Sequence, residues 1–298
     1  MERRTIGDCL RQPLLTSGHP SAPGRLDLEL LLASVTGRNR GFVLAHPEYL
    51  LSYNESRLYH QLLERRLQGE PLAYILGYRE FWGLTLKVTP AVLIPRPDTE
   101  LLVEQALAHW PEQSRAVTVL ELGTGSGAIA LALASEHPEA QITASDLSTA
   151  ALAVARQNAA NLGLRVRFVH SDWFDAISGR FDLILSNPPY VAVDDPHLRD
   201  PALQHEPRMA LQAGPRGLNA IARIIREAPD HLRPDGLLLL EHGHDQGAAV
   251  RQLLANKGYQ NIQTLQDLGN SDRVTLGCWP GAERHTEDGA LPKSWTSS

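Results

Sequence analysis

Two short segments of this 298-residue chain combine residue types and spacings that could do chemistry. The first runs from Glu121 to Gly127 and has glycine at three alternate positions, 123, 125 and 127. Glycines let the backbone turn sharply and let a ligand approach closely, and the N-terminus of a following helix offers free N–H groups. Asp146 lies 23 residues after Gly123. A carboxylate at that spacing, at the end of the next strand, can accept hydrogen bonds from two ribose hydroxyls.

These features together predict a nucleotide-like ligand rather than a plain strand-to-helix turn, and they leave its identity open. Gly123, Gly125 and Ala128 satisfy the loose dinucleotide pattern, which allows NAD or FAD. S-adenosylmethionine is the alternative, because it has a ribose but no pyrophosphate. An acidic residue at the end of the strand before the glycines, such as Glu121, is typical of proteins that bind S-adenosylmethionine.

The second segment, Asn187-Pro188-Pro189-Tyr190, directly follows a predicted buried strand. Open α/β sheets bind ligands at the carboxyl ends of their strands, so a site is expected here. The prolines have no N–H, which leaves the Asn187 and Pro188 carbonyls as two acceptors that match the two N–H bonds of one NH2 group. Tyr190 offers a flat face. The segment therefore predicts a site for a carboxamide or an exocyclic base amine, and it favours methyl transfer over hydride transfer.

The elements that must hold these segments alternate between strand and helix beyond about residue 115. This alternation predicts an α/β fold in which a parallel sheet is covered by helices on both faces. The predicted strands are 117–121, 141–146, 166–170, 181–186, 237–241, 259–265 and 273–279, and the predicted helices among them are 128–135 and 149–162.

The chain before residue 85 has a helical pattern instead. Apolar residues at helical spacing predict helices around 26–35 and 52–69, with Leu26 and Leu58 on their apolar faces. These helices indicate a small helical domain ahead of the α/β part.

Three connecting segments also carry predictions. A hairpin is expected to turn at Gly83, and Asp98 or Thr99 is expected to cap a helix over 100–109. Residues 191–217 form a long segment rich in Pro, Asp and His, which predicts a functional or mobile loop.

Composition and charge exclude several classes of protein. No apolar run approaches the roughly 20 residues needed to cross a bilayer, and polar residues interrupt any secretory signal. Cys9 and Cys278 match no metal-ligand spacing and suggest a reducing compartment, so a cytoplasmic location is expected. The net charge of −6 does not favour a nucleic-acid partner. His242 and His244 lack a third ligand at a sensible spacing, so no metal is predicted.

The motifs together resemble those of the release-factor glutamine methyltransferases, the PrmC/HemK family, from about residue 25 to 280. The Asn-Pro-Pro-Tyr segment is shared with adenine and guanine amine methyltransferases, whereas the Arg-Pro-Asp-Thr-Glu run beside a helical N-terminal region is more specific. The residues that carry the resemblance are Glu70-Pro71, Gly77-Tyr78-Arg79-Glu80-Phe81-Trp82, Ile94-Pro95-Arg96-Pro97-Asp98-Thr99-Glu100, Glu121-Leu122-Gly123-Thr124-Gly125-Ser126-Gly127, Ser171-Asp172-Trp173-Phe174, Asn187-Pro188-Pro189-Tyr190 and Leu240-Glu241-His242-Gly243.

The resemblance implies a Rossmann-like, seven-stranded methyltransferase sheet with a small N-terminal helical domain and a hairpin linker. The substrate-recognition domain is placed at residues 1–75, the linker at 76–92 and the S-adenosylmethionine-dependent methyltransferase domain at 93–280. Residues 281–298 are expected to form a disordered tail, and the protein is expected to be a monomer.

By the same resemblance, the cofactor is S-adenosyl-L-methionine, and Asn187, Pro188, Pro189 and Tyr190 hold the substrate and carry catalysis. The substrate is the glutamine of the Gly-Gly-Gln tip of class I peptide chain release factors, whose body the N-terminal domain would grip. Asp146 would hold the ribose, and Asp172 and Trp173 would lie along the adenine. The full set of implied cofactor-binding residues is Glu121, Gly123, Thr124, Gly125, Ser126, Gly127, Asp146, Asp172, Trp173 and Asn187.

Two other substrates stay open. Ribosomal-protein glutamine methyltransferases typically have Pro-Arg-Ser-Pro where this chain has Arg-Pro-Asp-Thr-Glu, which favours a release factor. Nucleic-acid amine methyltransferases usually add a basic domain, whereas residues 1–80 have ten Arg against nine Asp and Glu. We therefore expect no direct nucleic-acid partner.

Overall fold

The structure is a computed structural model that describes residues 4–11, 23–111 and 115–280. The predicted tail, residues 281–298, lies outside the described residues. Helices form the N-terminal part, and their buried apolar side chains form one cluster. They are α1 (Ile6–Arg11), α2 (Arg25–Thr36), α3 (Arg40–Ala45), α4 (Tyr53–Leu67) and α5 (Leu72–Leu76).

The predicted apolar faces of α2 and α4 are confirmed in part. Leu31, Leu62 and Leu63 pack in the N-terminal cluster, but Leu26 and Leu58 are 51% and 42% exposed. Leu58 and its neighbour Tyr59 both keep helical spacing with other apolar residues of α4, so spacing alone did not distinguish them. Packing of α2 against α4 places Tyr59 in the cluster.

The predicted hairpin is confirmed by strands β1 (Tyr78–Phe81) and β2 (Leu84–Lys87). Trp82 and Gly83 form the turn with φ of 52° and 67°, the left-handed backbone that a tight two-residue hairpin requires. The buried Asn158 side chain accepts the Lys87 N–H over 2.8 Å and donates to the carbonyls of Lys87 and Ser126. The hairpin is therefore fixed to the glycine loop through one amide.

The α/β part is a seven-stranded sheet with strand order β5-β4-β3-β6-β7-β9-β8. Its faces are covered by two separate clusters of buried apolar side chains. The strands are β3 (Thr118–Leu122), β4 (Gln141–Asp146), β5 (Arg167–His170), β6 (Phe181–Ser186), β7 (Leu232–Glu241), β8 (Gln260–Gln266) and β9 (Asp272–Trp279). The helices are α6 (Glu100–Ala108), α7 (Ala128–Glu136), α8 (Thr149–Leu162), α9 (Asn219–Glu227) and α10 (Gly247–Lys257).

The sheet is mixed, so the prediction of an all-parallel sheet is wrong for one strand. β9 runs antiparallel to both neighbours, β7 and β8. The connection between β8 and β9 is only residues 267–271, and a connection that short can join strands only as a hairpin. Alternating strand and helix patterns carry no information on the direction of a strand that has no helix before it.

The order of the strands reverses between β3 and β6. Leu122 and Ser186, the last residues of these strands, lie opposite each other, and the Ser186 hydroxyl donates to the Leu122 carbonyl over 2.8 Å. Ligands bind to open α/β sheets at such a switch point, outside the carboxyl ends of the strands. The glycine loop after β3 and the Asn187 segment after β6 are therefore neighbours.

Candidate active site

A cavity opens at the carboxyl ends of β3, β4, β5 and β6 and takes in residues from both predicted segments. Four of the residues predicted to bind the cofactor are not in the cavity wall: Glu121, Thr124, Ser126 and Gly127. Pro188 and Tyr190, predicted to hold the substrate, are not in the wall either. The residues that line it are Ala91, Val92, Leu93, Gly123, Gly125, Ser145, Asp146, Leu147, Ser148, Ala151, Ser171, Asp172, Trp173, Asn187, Pro189, Pro207, Met209 and Ala210.

The glycine loop curves past the cavity with positive φ at Gly123, Gly125 and Gly127. Gly127 also allows a close approach, because a Cβ there would lie 3.1 Å from Leu131 and 3.3 Å from Ala155. Helix α7 begins at the next residue and packs directly onto the sheet. The loop thus presents backbone at the cavity and keeps its third glycine for helix packing.

Glu121 supports this loop from behind. Its Oε2 accepts the Thr124 hydroxyl over 2.6 Å and the Ala130 N–H, in the first turn of α7, over 3.0 Å. The side chain is fully buried, and burial raises its pKa to about 8. Glu121 does for α7 what an N-capping side chain does, since Gly127 before the helix has no side chain to cap it.

Asp146 lies at the cavity with both carboxylate oxygens held by backbone donors. Oδ2 accepts the Gly125 N–H and Oδ1 accepts the Ser148 N–H, each over 2.8 Å. Burial raises its pKa above the ordinary value. Because a carboxylate has about four acceptor positions, Asp146 can still accept hydrogen bonds from a ligand in the cavity.

The segment after β5 places Asp172 and Trp173 on another part of the wall. Trp173 adopts a φ of 50°, which is unusual for a bulky residue. The Ser171 hydroxyl holds this conformation by donating to the Trp173 carbonyl over 2.8 Å, while it accepts the Ala176 N–H. Asp172 pairs with Arg223 of α9 over 2.8 Å. Strain maintained by such contacts is typical of a functional position.

Asn187 lies at the edge of the cavity, and its amide is held by a contact that the sequence did not indicate. Its Nδ2 donates to Thr99 Oγ1 over 3.1 Å. Asp98 or Thr99 was expected to cap α6. Both lie in a short 3-10 helix, and Thr99 occupies the N-cap position, but its side chain makes no capping hydrogen bond. Its buried hydroxyl turns toward Asn187 instead.

Tyr190 is held at both ends. Its hydroxyl donates to Glu241 Oε1 over 3.2 Å, and its carbonyl accepts from Gln246 Nε2 over 3.0 Å. Burial raises the pKa of Tyr190 above its ordinary value, so the phenol stays protonated at neutral pH. Gly217 passes so close that a Cβ there would lie 2.0 Å from the Tyr190 carbonyl oxygen, which only glycine permits.

Comparison with known proteins shows which family combines these features. Two family models match the chain, the PrmC N-terminal domain over residues 14–77 and the methyltransferase small domain over residues 97–200. The release factor glutamine methyltransferase of Escherichia coli is 49% identical over 85% of this chain and 91% of its own length. The chain belongs to the release factor glutamine methyltransferase family. The enzyme of that name from Pseudomonas aeruginosa is 50% identical over 87% of this chain and 95% of its own.

The methyltransferase fold is also seen in distant structures. The crystal structure of a methyltransferase from Pyrococcus furiosus superposes with a TM-score of 0.50, covering 66% of this chain and 89% of that one at 19% identity. At that identity the likeness concerns the fold alone. It supports the assignment of the sheet and confirms the predicted Rossmann-like methyltransferase architecture.

In this member of the family, the loop predicted over 191–217 contributes directly to the cavity. A parallel bridge between Val191 and Gln212 closes its base. The buried Glu206 accepts the Ile94 N–H over 3.1 Å and pairs with Arg96, so the loop is joined to the segment before α6. As a result, three loop residues line the cavity: Pro207, Met209 and Ala210. The sequence did not predict them, because loop length was its only signal for this segment.

His242, one of the two histidines considered as metal ligands, has structural partners in this family member. The buried His242 ring bonds to Thr275 Oγ1 over 2.7 Å and to the Gly243 carbonyl over 2.9 Å. Within residues 4–11, 23–111 and 115–280, no group of three or more His, Cys, Asp or Glu side chains could hold a metal ion. Over the same part of the chain, no helix combines the length and apolar character needed to span a bilayer.

Proposed function

We propose that this chain transfers a methyl group from S-adenosyl-L-methionine to the side-chain amide nitrogen of the glutamine in the Gly-Gly-Gln motif of class I release factors. The position of Asn187 carries the proposal. Its amide lies at the cavity edge, beside the glycine loop, with its NH2 end held by Thr99. Family membership supports the same reaction, because the curated relatives bear that name.

The residues around the cavity fit the proposed cofactor. Asp146 is an acceptor for ribose hydroxyls, and Gly123 and Gly125 present backbone where a side chain would obstruct a ligand. Asp172 and Trp173 offer a carboxylate and a ring to the adenine. S-adenosylmethionine supplies an electrophilic methyl group on a positively charged sulfur. Glu121, Thr124, Ser126 and Gly127 would serve the cofactor by shaping the loop.

For the substrate amide, the chain supplies orientation. The glutamine nitrogen is a poor nucleophile because its lone pair is delocalised into the carbonyl. The Asn187 Oδ1 and the Pro188 carbonyl would each accept one N–H bond, which fixes the nitrogen and directs its lone pair at the methyl carbon. Orientation of this quality can supply about 7–11 kcal/mol. Methyl transfer would form the C–N bond and break the C–S bond, whose electron pair would stay on sulfur, and the methylated nitrogen would then release one proton to water.

Tyr190 and Pro189 would form the flat part of the substrate site. Because the Tyr190 hydroxyl donates to Glu241 and burial keeps the phenol protonated, Tyr190 does not serve as a general base. Its ring packs against one apolar cluster of the sheet and would support Pro189, which lines the cavity. The binding of the release factor body is assigned to the N-terminal domain, which exposes Leu26, Leu44, Leu50, Tyr53 and Leu58.

One labelling experiment tests the proposed function. The chain is incubated with methyl-labelled S-adenosylmethionine and, in separate reactions, with a purified class I release factor, the same factor with its tip glutamine replaced, ribosomal RNA, DNA and ribosomal protein. We expect label only in the unaltered release factor. Label in nucleic acid or ribosomal protein, or in the factor without its tip glutamine, contradicts the proposal.

A further inference from the structure

Two hydrogen bonds join the Asn187–Tyr190 segment to side chains that are distant in the sequence. Asn187 Nδ2 donates to Thr99 Oγ1, and the Tyr190 hydroxyl donates to Glu241 Oε1. Thr99 is 4% exposed and Glu241 1% exposed. Glu241 ends β7, which pairs with β6, so the backbone of Glu241 lies beside the start of the Asn187 segment.

Thr99 and Glu241 share no hydrogen bond in the structure, but the Thr99 hydroxyl lies near enough to Glu241 to lower the pKa of its carboxyl group. The second carboxylate oxygen of Glu241, Oε2, is buried and has no hydrogen-bond partner. Buried acceptors of this kind need a donor. Burial raises the pKa of Glu241 to about 7, and the Thr99 hydroxyl is foremost among the groups that oppose this rise. The Thr99 hydroxyl is therefore a donor that lies close to this carboxylate.

This arrangement decides which end of the Asn187 amide faces the cavity. A carboxamide has a donor end and an acceptor end, and a hydroxyl can pair with either one. An ionised carboxylate can only accept. When Glu241 is ionised it takes the Thr99 hydrogen, which leaves the Oγ1 lone pairs for the NH2 end of Asn187. The acceptor Oδ1 must then point away from Thr99.

We propose that Thr99 and Glu241 are positioning residues for the methyl transfer, in which Glu241 orients the Thr99 hydroxyl and Thr99 keeps the Asn187 Oδ1 turned toward the substrate amide. The inference rests on the function proposed above. Neither side chain touches the reacting atoms. Glu241 also holds the Tyr190 hydroxyl, so one buried carboxylate fixes both ends of the segment.

The same chain of contacts makes the orientation depend on protonation. A protonated Glu241 can donate to Thr99, which then donates to the Asn187 Oδ1 and turns the NH2 end toward the substrate. Two donors then face each other, and the substrate amide loses an acceptor. The charged and titratable groups that face Glu241 are Tyr190, Arg273 and Asp98.

The first test replaces the Thr99 hydroxyl without changing the shape of the side chain. We expect Thr99→Val to lower kcat for release-factor methylation about 10- to 100-fold and to change the cofactor KM less than about twofold. Thr99→Ser keeps the hydroxyl and should restore most of the lost kcat. Thr118→Val is the matched control, because its hydroxyl bonds to Asp182 at the amino-terminal ends of β3 and β6, outside the cavity wall.

The second test follows kcat against pH at saturating cofactor and release factor. We expect kcat of the unaltered chain to rise as pH increases through about 7, because Glu241 ionises there. Glu241→Gln should remove this rise. Asp182→Asn is the matched control: this buried carboxyl group lies at the start of β6, outside the cavity wall, and its pKa is lowered to about 2, so its substitution should leave the rise in place.

The outcomes separate the two proposals. Absence of methyl transfer by the unaltered chain refutes the proposed function itself. Normal transfer by that chain, together with an unchanged kcat in Thr99→Val or a persistent pH rise in Glu241→Gln, refutes the positioning role alone. Melting curves accompany each variant, and if Thr99→Val does not fold, the Glu241→Gln pH profile decides the question.

Discussion

The two walls of the cavity are built in different ways. At the wall after β3 and β4, the carboxylate of Asp146 in the wall and that of Glu121 behind the glycine loop bind mainly backbone N–H groups from the same βαβ stretch. On the wall after β6, the Asn187–Tyr190 segment is held by side chains from three other parts of the chain: Thr99, Glu241 and Gln246. The first wall is local in the sequence, and the second is assembled from distant segments.

This difference indicates where each wall is vulnerable. Backbone donors do not change when a side chain is replaced, so the first wall depends on its carboxylates and on its glycines. The second wall depends on amide and hydroxyl groups, and removing one of these leaves another buried polar group without a partner. We therefore expect substitutions on the first wall to change cofactor affinity and substitutions on the second wall to change kcat.

The largest effect is expected for Asn187→Ala. Loss of the amide removes an acceptor from the substrate nitrogen, and loss of one preorganised polar group at a reacting centre typically lowers kcat about 10²- to 10³-fold. Cofactor affinity, measured by calorimetric titration, should stay close to that of the unaltered chain. Near-normal turnover in this variant would falsify the assignment of Asn187 as the amide acceptor.

Asp146→Asn should instead weaken cofactor binding much more than it lowers kcat. One oxygen becomes an NH2 group that must face the N–H of Gly125 or Ser148, and a donor facing a donor costs about 1–3 kcal/mol. We expect the cofactor dissociation constant to rise at least about tenfold, with kcat at saturating cofactor reduced much less. An unchanged dissociation constant alongside a large loss of kcat contradicts the division between the walls.

A smaller effect is expected for Glu121→Gln, on stability rather than turnover. Burial raises the folded-state pKa of Glu121 from 4.5 to about 8, so between these values the folded chain holds a proton that the unfolded chain has lost. Stability of the cofactor-free chain should then fall as pH rises from 5 to 8, by at most about 1.4 kcal/mol per pH unit from this group. Denaturant unfolding should give a flatter pH dependence in the variant. If the free energy of unfolding depends on pH with the same slope in both chains, Glu121 is not buried and protonated.

The walls also differ in how well the sequence predicted them. The glycine loop and Asp146 are close together in the chain, and each reports a local conformation: a sharp turn, a helix start or a strand end. Asn187 could be found because it directly follows a buried strand. Thr99 could not, because a threonine before a helix indicates a cap, and only the tertiary fold brings it next to Asn187, 88 positions later.

Other features of the fold were beyond the sequence for similar reasons. The direction of β9 depends on a short hairpin with β8, which alternating apolar runs do not report. Met209 reaches the cavity only because the buried Glu206 joins its loop to Ile94 and Arg96, a contact between segments more than 100 positions apart. Loop length predicted that the segment has a role but not which of its residues approach the site.

The most direct measurement is the location of the transferred methyl group. After incubation of the chain with S-adenosylmethionine and a class I release factor, fragmentation mass spectrometry of the factor identifies the modified residue and atom. We predict a single methyl group on the side-chain nitrogen of the Gly-Gly-Gln glutamine, absent when the Asn187→Ala variant replaces the unaltered chain. A methyl group on any other residue, or equal modification by the variant, contradicts the assignment of this cavity to a glutamine amide.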